Sequence, residues 1–481
     1  MKKQAFNPYL PSWEYIPDGE PHVFGDRLYL FGSHDAFDGA AYCPNDYVCW
    51  SAPTDDLADW RYEGVIYQKT DDPINLDGSR KLFAPDVVRG PDGRYYLYYV
   101  FNTESVMGVA VCDTPAGRYR YYGTVRYPDG RPVGAAEGDL HQFDPGLLAD
   151  DDGRIYLYSG SAPYSPSMLA HFGNLKRQVR GGYMMELESD MLTVKRGPEM
   201  VLPGLADAKG TGFAGHEFFE ASSPRKIGGR YYLIYSSIHG HELCCAVSSR
   251  PDGDFTFGGV LLSNGDIGFQ GRAPEDALNY IGNNHGSLEQ INGQWYIFYH
   301  RQTNLHQFSR QACADPIAFA PDGSLPQAEM TSCGLNGGPL SGRGVYEARI
   351  ACNLRSRSGV MSYTSRKALP GEHPYFTQDG TDREADGDQH IANMRTGALA
   401  GFKYFDFRGA ATIAVTLRGD ARGHVLISAQ PDGPPAAEIP VAAAPSWGRF
   451  SAPLRLPDGV HPLYVTFRGE GYFDFLRFEL A

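Results

Sequence analysis

One phrase recurs five times along this chain, and it restricts the fold more than any other feature. It reads Asp26-Arg27-Leu28-Tyr29-Leu30-Phe31, then Gly93-Arg94-Tyr95-Tyr96-Leu97-Tyr98, Gly153-Arg154-Ile155-Tyr156-Leu157-Tyr158, Gly229-Arg230-Tyr231-Tyr232-Leu233-Ile234 and Gly293-Gln294-Trp295-Tyr296-Ile297-Phe298. Each copy is a turn followed by a β-branched or aromatic run, the pattern of the second strand of a hairpin. The shared tyrosines stand at 29, 96, 156, 232 and 296, in steps of 67, 60, 76 and 64 residues. A strand-rich unit repeating at that spacing makes blades around an axis, and five blades lies in the range that propellers use. The expected class is therefore all-β. A five-bladed β-propeller spans residues 1–318 and a connecting segment 319–350. A β-sandwich of jelly-roll type, read from the alternation around Ile413, Val425 and Val465, spans 351–481.

Upstream of each phrase lies one polar residue at nearly constant distance. Glu20 precedes its tyrosine by 9 residues, Asp86 by 10, Asp144 and Glu220 by 12, and His285 by 11. Proline adjoins Glu20, Asp86 and Asp144, which places them at the start of the first strand of each hairpin. First strands line a propeller's channel, so equivalent positions in five blades converge at one end of it. Four carboxylates and a histidine brought together carry a cost that a substrate, a metal ion or a shared proton must offset. The spacing alone therefore points to a site.

Bulk properties narrow the partners. The net charge of −14 argues against nucleic acid and offers no basic patch to a membrane, and no apolar run reaches 18 residues. The first residues, Met1-Lys2-Lys3-Gln4-Ala5-Phe6, carry no apolar signal core, so a cytoplasmic location is expected. The eight scattered cysteines, without paired zinc-type spacing, read as reduced and buried. The doublet His239 and His241 reads as a solvated turn rather than a metal pair. The sequence leaves the oligomeric state open.

Glu20-Pro21 before a blade strand, Phe143-Asp144-Pro145 with Asp151-Asp152-Gly153 behind it, and Phe219-Glu220-Ala221-Ser222-Ser223-Pro224 follow one another in blade register. In these motifs the first domain resembles glycoside hydrolase family 43. The resemblance implies a five-bladed propeller that removes arabinofuranosyl or xylosyl units, in some branches galactosyl or galactofuranosyl units, with inversion at the anomeric carbon. It implies Glu220, rather than Glu217, as general acid, and Asp144 as the carboxylate that tunes the acid and orients the sugar. It also implies a general base in blade one, at a position usually held by Asp before Pro and here held by Glu20. Asp18, two residues earlier, is the other carboxylate able to serve. His285 matches an axial histidine that approaches a bound calcium or other cation through water, and Asp86 matches a position close to the sugar. Trp13, Phe83 and Phe143 flank these residues and suit an apolar wall for a sugar ring. No organic cofactor is expected.

Two carboxylates on opposite faces of a sugar suffice for inverting hydrolysis. One protonates the leaving oxygen and the other activates water. The C-terminal domain resembles carbohydrate-binding module family 6 in its Phe376–Gly380 and Phe402–Phe407 stretches and in Trp447. The expected function is an inverting exo-glycosidase releasing terminal arabinofuranosyl or xylosyl units from short plant-type oligosaccharides. The alternatives are a galactofuranosidase or galactosidase of the same fold, and a carbohydrate-binding propeller without turnover.

Overall fold

The computed structural model describes residues 4–165, 168, 170, 176–360, 362, 371–384 and 387–481. Every recurring phrase is a second strand, as its alternation requires. Blades I to IV are four-stranded antiparallel sheets in sequence order, and blade V is three-stranded among the described residues. The inner strands are Glu20–Phe24, Leu82–Arg89, Gly146–Ala149, Phe218–Ile227 and Ser287–Ile291. The partner strands Arg27–Phe31, Tyr95–Phe101, Ile155–Ser159, Arg230–Ser237 and Gln294–Thr303 carry the phrase. Tyr96, Tyr156, Tyr232 and Tyr296 are buried between neighbouring blades, where apolar clusters of Val, Leu, Ile and Tyr fill the gaps. The N-terminal segment crosses blade V. The Asn7 side chain donates to Ala314 O and accepts from Ala314 N, and so engages the backbone of that blade's last strand.

The C-terminal sandwich consists of two sheets. One runs Leu340–Ser341, Leu399–Phe407, Gly459–Glu470, Arg422–Ser428, Ala437–Val441, with Asn353–Arg355 beside its second strand. The other runs Tyr375–Gln378, Gln389–Arg395, Tyr472–Leu480, Thr412–Gly419, Ala444–Pro453, with Gly344–Glu347 beside its third. Phe402, from the Phe402–Phe407 stretch, meets Phe478 of the last strand in the core of this domain, with ring centroids 4.8 Å apart. The segment read as a connector over 319–350 already contains sandwich strands from Leu340 onward. Those strands are two and four residues long, too short to show a period of two in the sequence.

The seam between the domains is polar and buried. Tyr15 Oη donates to Gln378 Oε1 at 2.6 Å and Gln311 Nε2 donates to Gln389 Oε1 at 3.2 Å. Arg383 of the sandwich reaches Glu14 in the propeller at 2.8 Å. Lys403 reaches Glu329 at 2.8 Å and Asp266 at 3.4 Å. Buried charges without partners are costly, so these pairs fix one docking of the sandwich on the propeller.

Candidate active site

A cavity of about 570 Å³ opens on the propeller axis, and every blade contributes to its wall. Blade I gives Asp18, Tyr42 and Cys43; blade II Phe83; blade III Phe143 and Asp144; blade IV Phe219 and Glu220; blade V His285 and Arg310. Ser362 of the C-terminal domain also lines it. Of the residues expected at the site, Asp144, Glu220, His285, Phe83 and Phe143 are here. Glu217 is not among the lining residues.

Glu20, Asp86 and Trp13 are not in the wall, which corrects three expectations. Glu20 lies deeper, accepting from Ser223 Oγ at 3.1 Å and Arg225 Nη2 at 3.3 Å, with its Oε1 buried and without a hydrogen-bond partner. Asp86 accepts from Leu147 N at 2.6 Å and meets His22 Nε2 at 2.6 Å. Trp13 packs on Trp50, with the Arg383 guanidinium over its ring at 5.2 Å.

The reason lies in the strand onsets. Asp18, Asp144 and His285 each stand two residues before an inner strand begins, whereas Glu20 and Asp86 lie within their strands. Asp18 (φ 56°) and Asp144 (φ 46°) adopt the left-handed conformation, and Ala221, next to Glu220, does so at φ 69°. Non-glycine residues rarely occupy that region, and where they do the backbone turns sharply. Here it turns three carboxylate-bearing segments toward the cavity. After His285, Gly286 packs so tightly on blade V that a Cβ would lie 1.8 Å from Phe298 O. No other residue leaves the imidazole where it is.

The charges of the cavity are ordered. Arg310 donates from Nη1 to Asp18 Oδ1 at 2.9 Å and grips Asp35 through Nε at 2.8 Å and Nη2 at 3.1 Å. Burial alone would raise the Asp18 carboxyl, but the Arg310 charge brings it below the ordinary carboxylate range. Asp18 is therefore an anion at neutral pH. His300 accepts from the Asp18 backbone N–H at 3.3 Å and bonds Asn283 O at 2.8 Å; burial and Arg310 push it down to about 3, so it is neutral and its tautomer is set.

Glu220, partly open to the cavity, is pushed up to about 8, by burial first and the Asp18 charge second. Burial, and then the facing Glu220 and Asp18, raise Asp144 as well. The Asp144–Glu220 pair therefore keeps a proton at neutral pH. Asp144 Oδ2 accepts the Ala221 N–H at 3.1 Å and faces His285 Nδ1 at 3.6 Å. The Ala221 N–H offsets only part of that rise at Asp144. Burial lowers His285, which is neutral.

Arg310, His300, Tyr42 and Tyr164 were not anticipated. In the sequence, His300 and Arg310 lie near the two ends of the polar stretch His300–Gln311 in the last hairpin. Phe83 and Phe143 meet edge to face at 6.0 Å and Tyr164 and Phe219 at 5.2 Å, giving the cavity two aromatic walls.

A second set of donors lies beneath the cavity. Glu20, His22 and Asp86 bring one ligand atom each within 4.8 Å of one another. Burial and the Asp86 charge raise Glu20 to about 7. All eight cysteines are free and buried.

Comparison with known proteins places this geometry. The family model of glycosyl hydrolases family 43 matches residues 16–325. A protein of Thermoclostridium stercorarium named xylosidase/arabinosidase is 51% identical over 483 residues, covering all of both chains. The crystal structure of a Bacillus subtilis arabinoxylan arabinofuranohydrolase of family 43 superimposes with a TM-score of 0.51, at 19% identity, over 99% of this chain and 97% of its own. A family 43 β-xylosidase/α-arabinofuranosidase from a compost metagenome, solved with xylotriose in a calcium-free form, gives 0.51 at 25% identity, over 68% of this chain and 98% of its own.

Proposed function

This chain belongs to glycosyl hydrolase family 43, and we propose that it is an inverting exo-glycosidase removing terminal xylosyl or arabinofuranosyl units from short oligosaccharides, with Asp18 as base and Glu220 as acid. The observation that carries this reading is the opposite protonation of two carboxylates in one cavity. Arg310 keeps Asp18 ionised while burial keeps Glu220 protonated. Inversion needs that pairing. Asp18 Oδ takes a proton from water as the water oxygen attacks the anomeric carbon. Glu220 gives its proton to the glycosidic oxygen as that bond breaks. Asp144, held by the Ala221 N–H, shares the pair's proton with Glu220 until transfer. The aromatic walls take the apolar faces of the sugar, and the charged layer below closes the cavity, which suits a chain end rather than a chain interior. Full-length identity of 51% to a protein named xylosidase/arabinosidase supports the choice of sugar.

Glu20 and Asp86 offer their carboxylates to a divalent cation of the calcium class, with His22 beside them. The orphaned Glu20 Oε1 and two facing carboxylates are the donors such an ion takes. Bound there, it would neutralise the layer beneath the cavity without touching the reacting atoms. His285 instead faces Asp18 and Asp144. The C-terminal domain serves as a brace. The Arg418 guanidinium covers the ring face of Trp447 at 4.2 Å and is itself tied to Asp379 and Asp474. A sugar would have to displace it to stack there.

The reading is tested by hydrolysis of aryl β-D-xyloside, α-L-arabinofuranoside and β-D-galactopyranoside, with the released anomer followed by NMR. Turnover of the first two with inverted product is expected. Retained configuration, or turnover of the galactoside alone, would overturn it.

A further inference from the structure

On the flank of the cavity the structure brings together a second imidazole–carboxylate group. His216 Nδ1 and Glu242 Oε1 lie 2.8 Å apart. His239 joins them, so that one ligand atom from each of the three falls within 4.8 Å of the others. His239 and His241, read from the sequence as a turn rather than a metal pair, stack their rings at 5.9 Å, and His241 Nδ1 is occupied by Ser263 Oγ at 3.0 Å. The partner of His239 comes instead from 23 residues upstream, across the sheet.

The group is held from behind. Glu242 is buried, and its Oε1 also accepts from Ser237 Oγ at 2.5 Å. The same Ser237 Oγ accepts the His239 backbone N–H at 3.1 Å. The His216 ring is stacked flat on Phe257, with centroids 4.7 Å apart and an interplanar angle of 9°. His239 Nε2 meets Gly215 O at 2.8 Å, which makes it the donor nitrogen and leaves Nδ1 with a free lone pair. An ion pair between His216 and Glu242 accounts for two members of the group but not for the exposed third one beside them. Such backing of ligands by hydrogen bonds is how metal sites fix their donors.

We propose that His216, His239 and Glu242 bind a borderline divalent ion of the zinc class, and that the ion inhibits hydrolysis. Two imidazoles, one carboxylate and a solvent position are a known zinc donor set, and nitrogen donors disfavour calcium and magnesium. Zinc ligands at about 2.1 Å from the metal stand about 3.4 Å apart in a tetrahedron. The exposed His239 side chain therefore closes onto the metal, while His216 Nδ1 and Glu242 Oε1, 2.8 Å apart, give up the proton between them and part to the ligand spacing. His239 and Gly240 both line the cavity, and Ser236 is the cross-strand partner of Glu220. Closing His239 onto the metal reshapes the rim beside the acid. This inhibitory half rests on the glycosidase reading above; binding does not.

The test is calorimetric titration of chelator-treated protein with Zn2+ in saturating Ca2+, alongside hydrolysis of an aryl xyloside over the same Zn2+ range. Wild type is expected to take up one ion with micromolar affinity and to lose activity with the same midpoint. His216→Gln, outside the cavity, is expected to hydrolyse normally without Zn2+ and to bind it at least tenfold more weakly, and His239→Ala to show the same weakening. Binding no tighter than millimolar, or equal in wild type and both variants, would overturn the site. Binding without loss of hydrolysis by an active enzyme would overturn the inhibitory half. A protein that binds Zn2+ but never hydrolyses a glycoside would count against the proposed function and not against the metal site.

Discussion

Two charged layers lie along the propeller axis, built from residues that are near neighbours in sequence. The upper layer is Asp18, Asp144, Glu220 and His285, open to the cavity. The lower layer is Glu20, His22, Asp86, Ser223, Arg225 and Ser287, closed by bonds among its own members such as Ser223 Oγ to Ser287 Oγ at 2.7 Å. Asp18 and Glu20 are two positions apart, yet one faces substrate space and the other is bonded to Arg225. Asp18 and Asp144 stand in left-handed turns, Glu220 at a bulge and His285 just ahead of its strand, whereas the lower residues lie within the inner strands. A turn brings a carboxylate to the cavity wall, where it can react. A strand holds it below the wall, among residues of the lower layer. The acidic residues of a propeller channel are thus divided between chemistry and support by backbone conformation, not by residue type.

The largest expected effect separates the two roles in the upper layer. Glu220→Ala should lose about 10²–10⁴-fold in kcat on a xylobioside, whose leaving group needs a proton, but far less on a dinitrophenyl xyloside, whose leaving group does not. Equal losses on both substrates would remove Glu220 as acid. In the lower layer the same severity should appear as stability. Arg225→Met leaves Glu20 buried beside Asp86 without its cation, and urea unfolding should show a loss of about 3 kcal/mol with kcat of the folded enzyme preserved. Loss of kcat at unchanged stability would merge the layers.

The pH profile sharpens the division. Glu220 must be protonated to act, so kcat/KM should fall as pH rises through about 8. Asp18 must be ionised, and because its carboxyl lies below the ordinary range, the acid limb should appear only at strongly acidic pH. A smaller effect belongs to the brace. Arg383→Ala removes the cation paired with buried Glu14, four residues before Asp18. Since Arg383 is 30% exposed, the loss should be about 1–2 kcal/mol, less than for a fully buried pair. The smallest is chelation of divalent ions, which should lower the Tm of wild type but not of Glu20→Gln.

Much of this was legible beforehand. Blades, phrase register and the placement of Asp144, Glu220 and His285 follow from alternation and turn residues, which are local. The choice between Asp18 and Glu20 was not. A left-handed residue ahead of a strand shifts which side chain faces the axis, and Pro-Asp-Gly-Glu-Pro does not announce where the strand starts. Arg310 and His300 were hidden for a different reason. They lie on the second and third strands of blade V, and only the closed ring brings them 292 and 282 residues across the chain to Asp18. Trp13 looked like a sugar platform by composition, but the sandwich domain had claimed its face through Arg383.

The most direct test of this account is kcat on one xyloside for Asp18→Asn and Glu20→Gln, measured side by side on folded protein. The account predicts a loss of about 10²–10⁴-fold for Asp18→Asn and a change within about threefold for Glu20→Gln. The reverse order would make the lower layer the catalytic one and contradict the division drawn here.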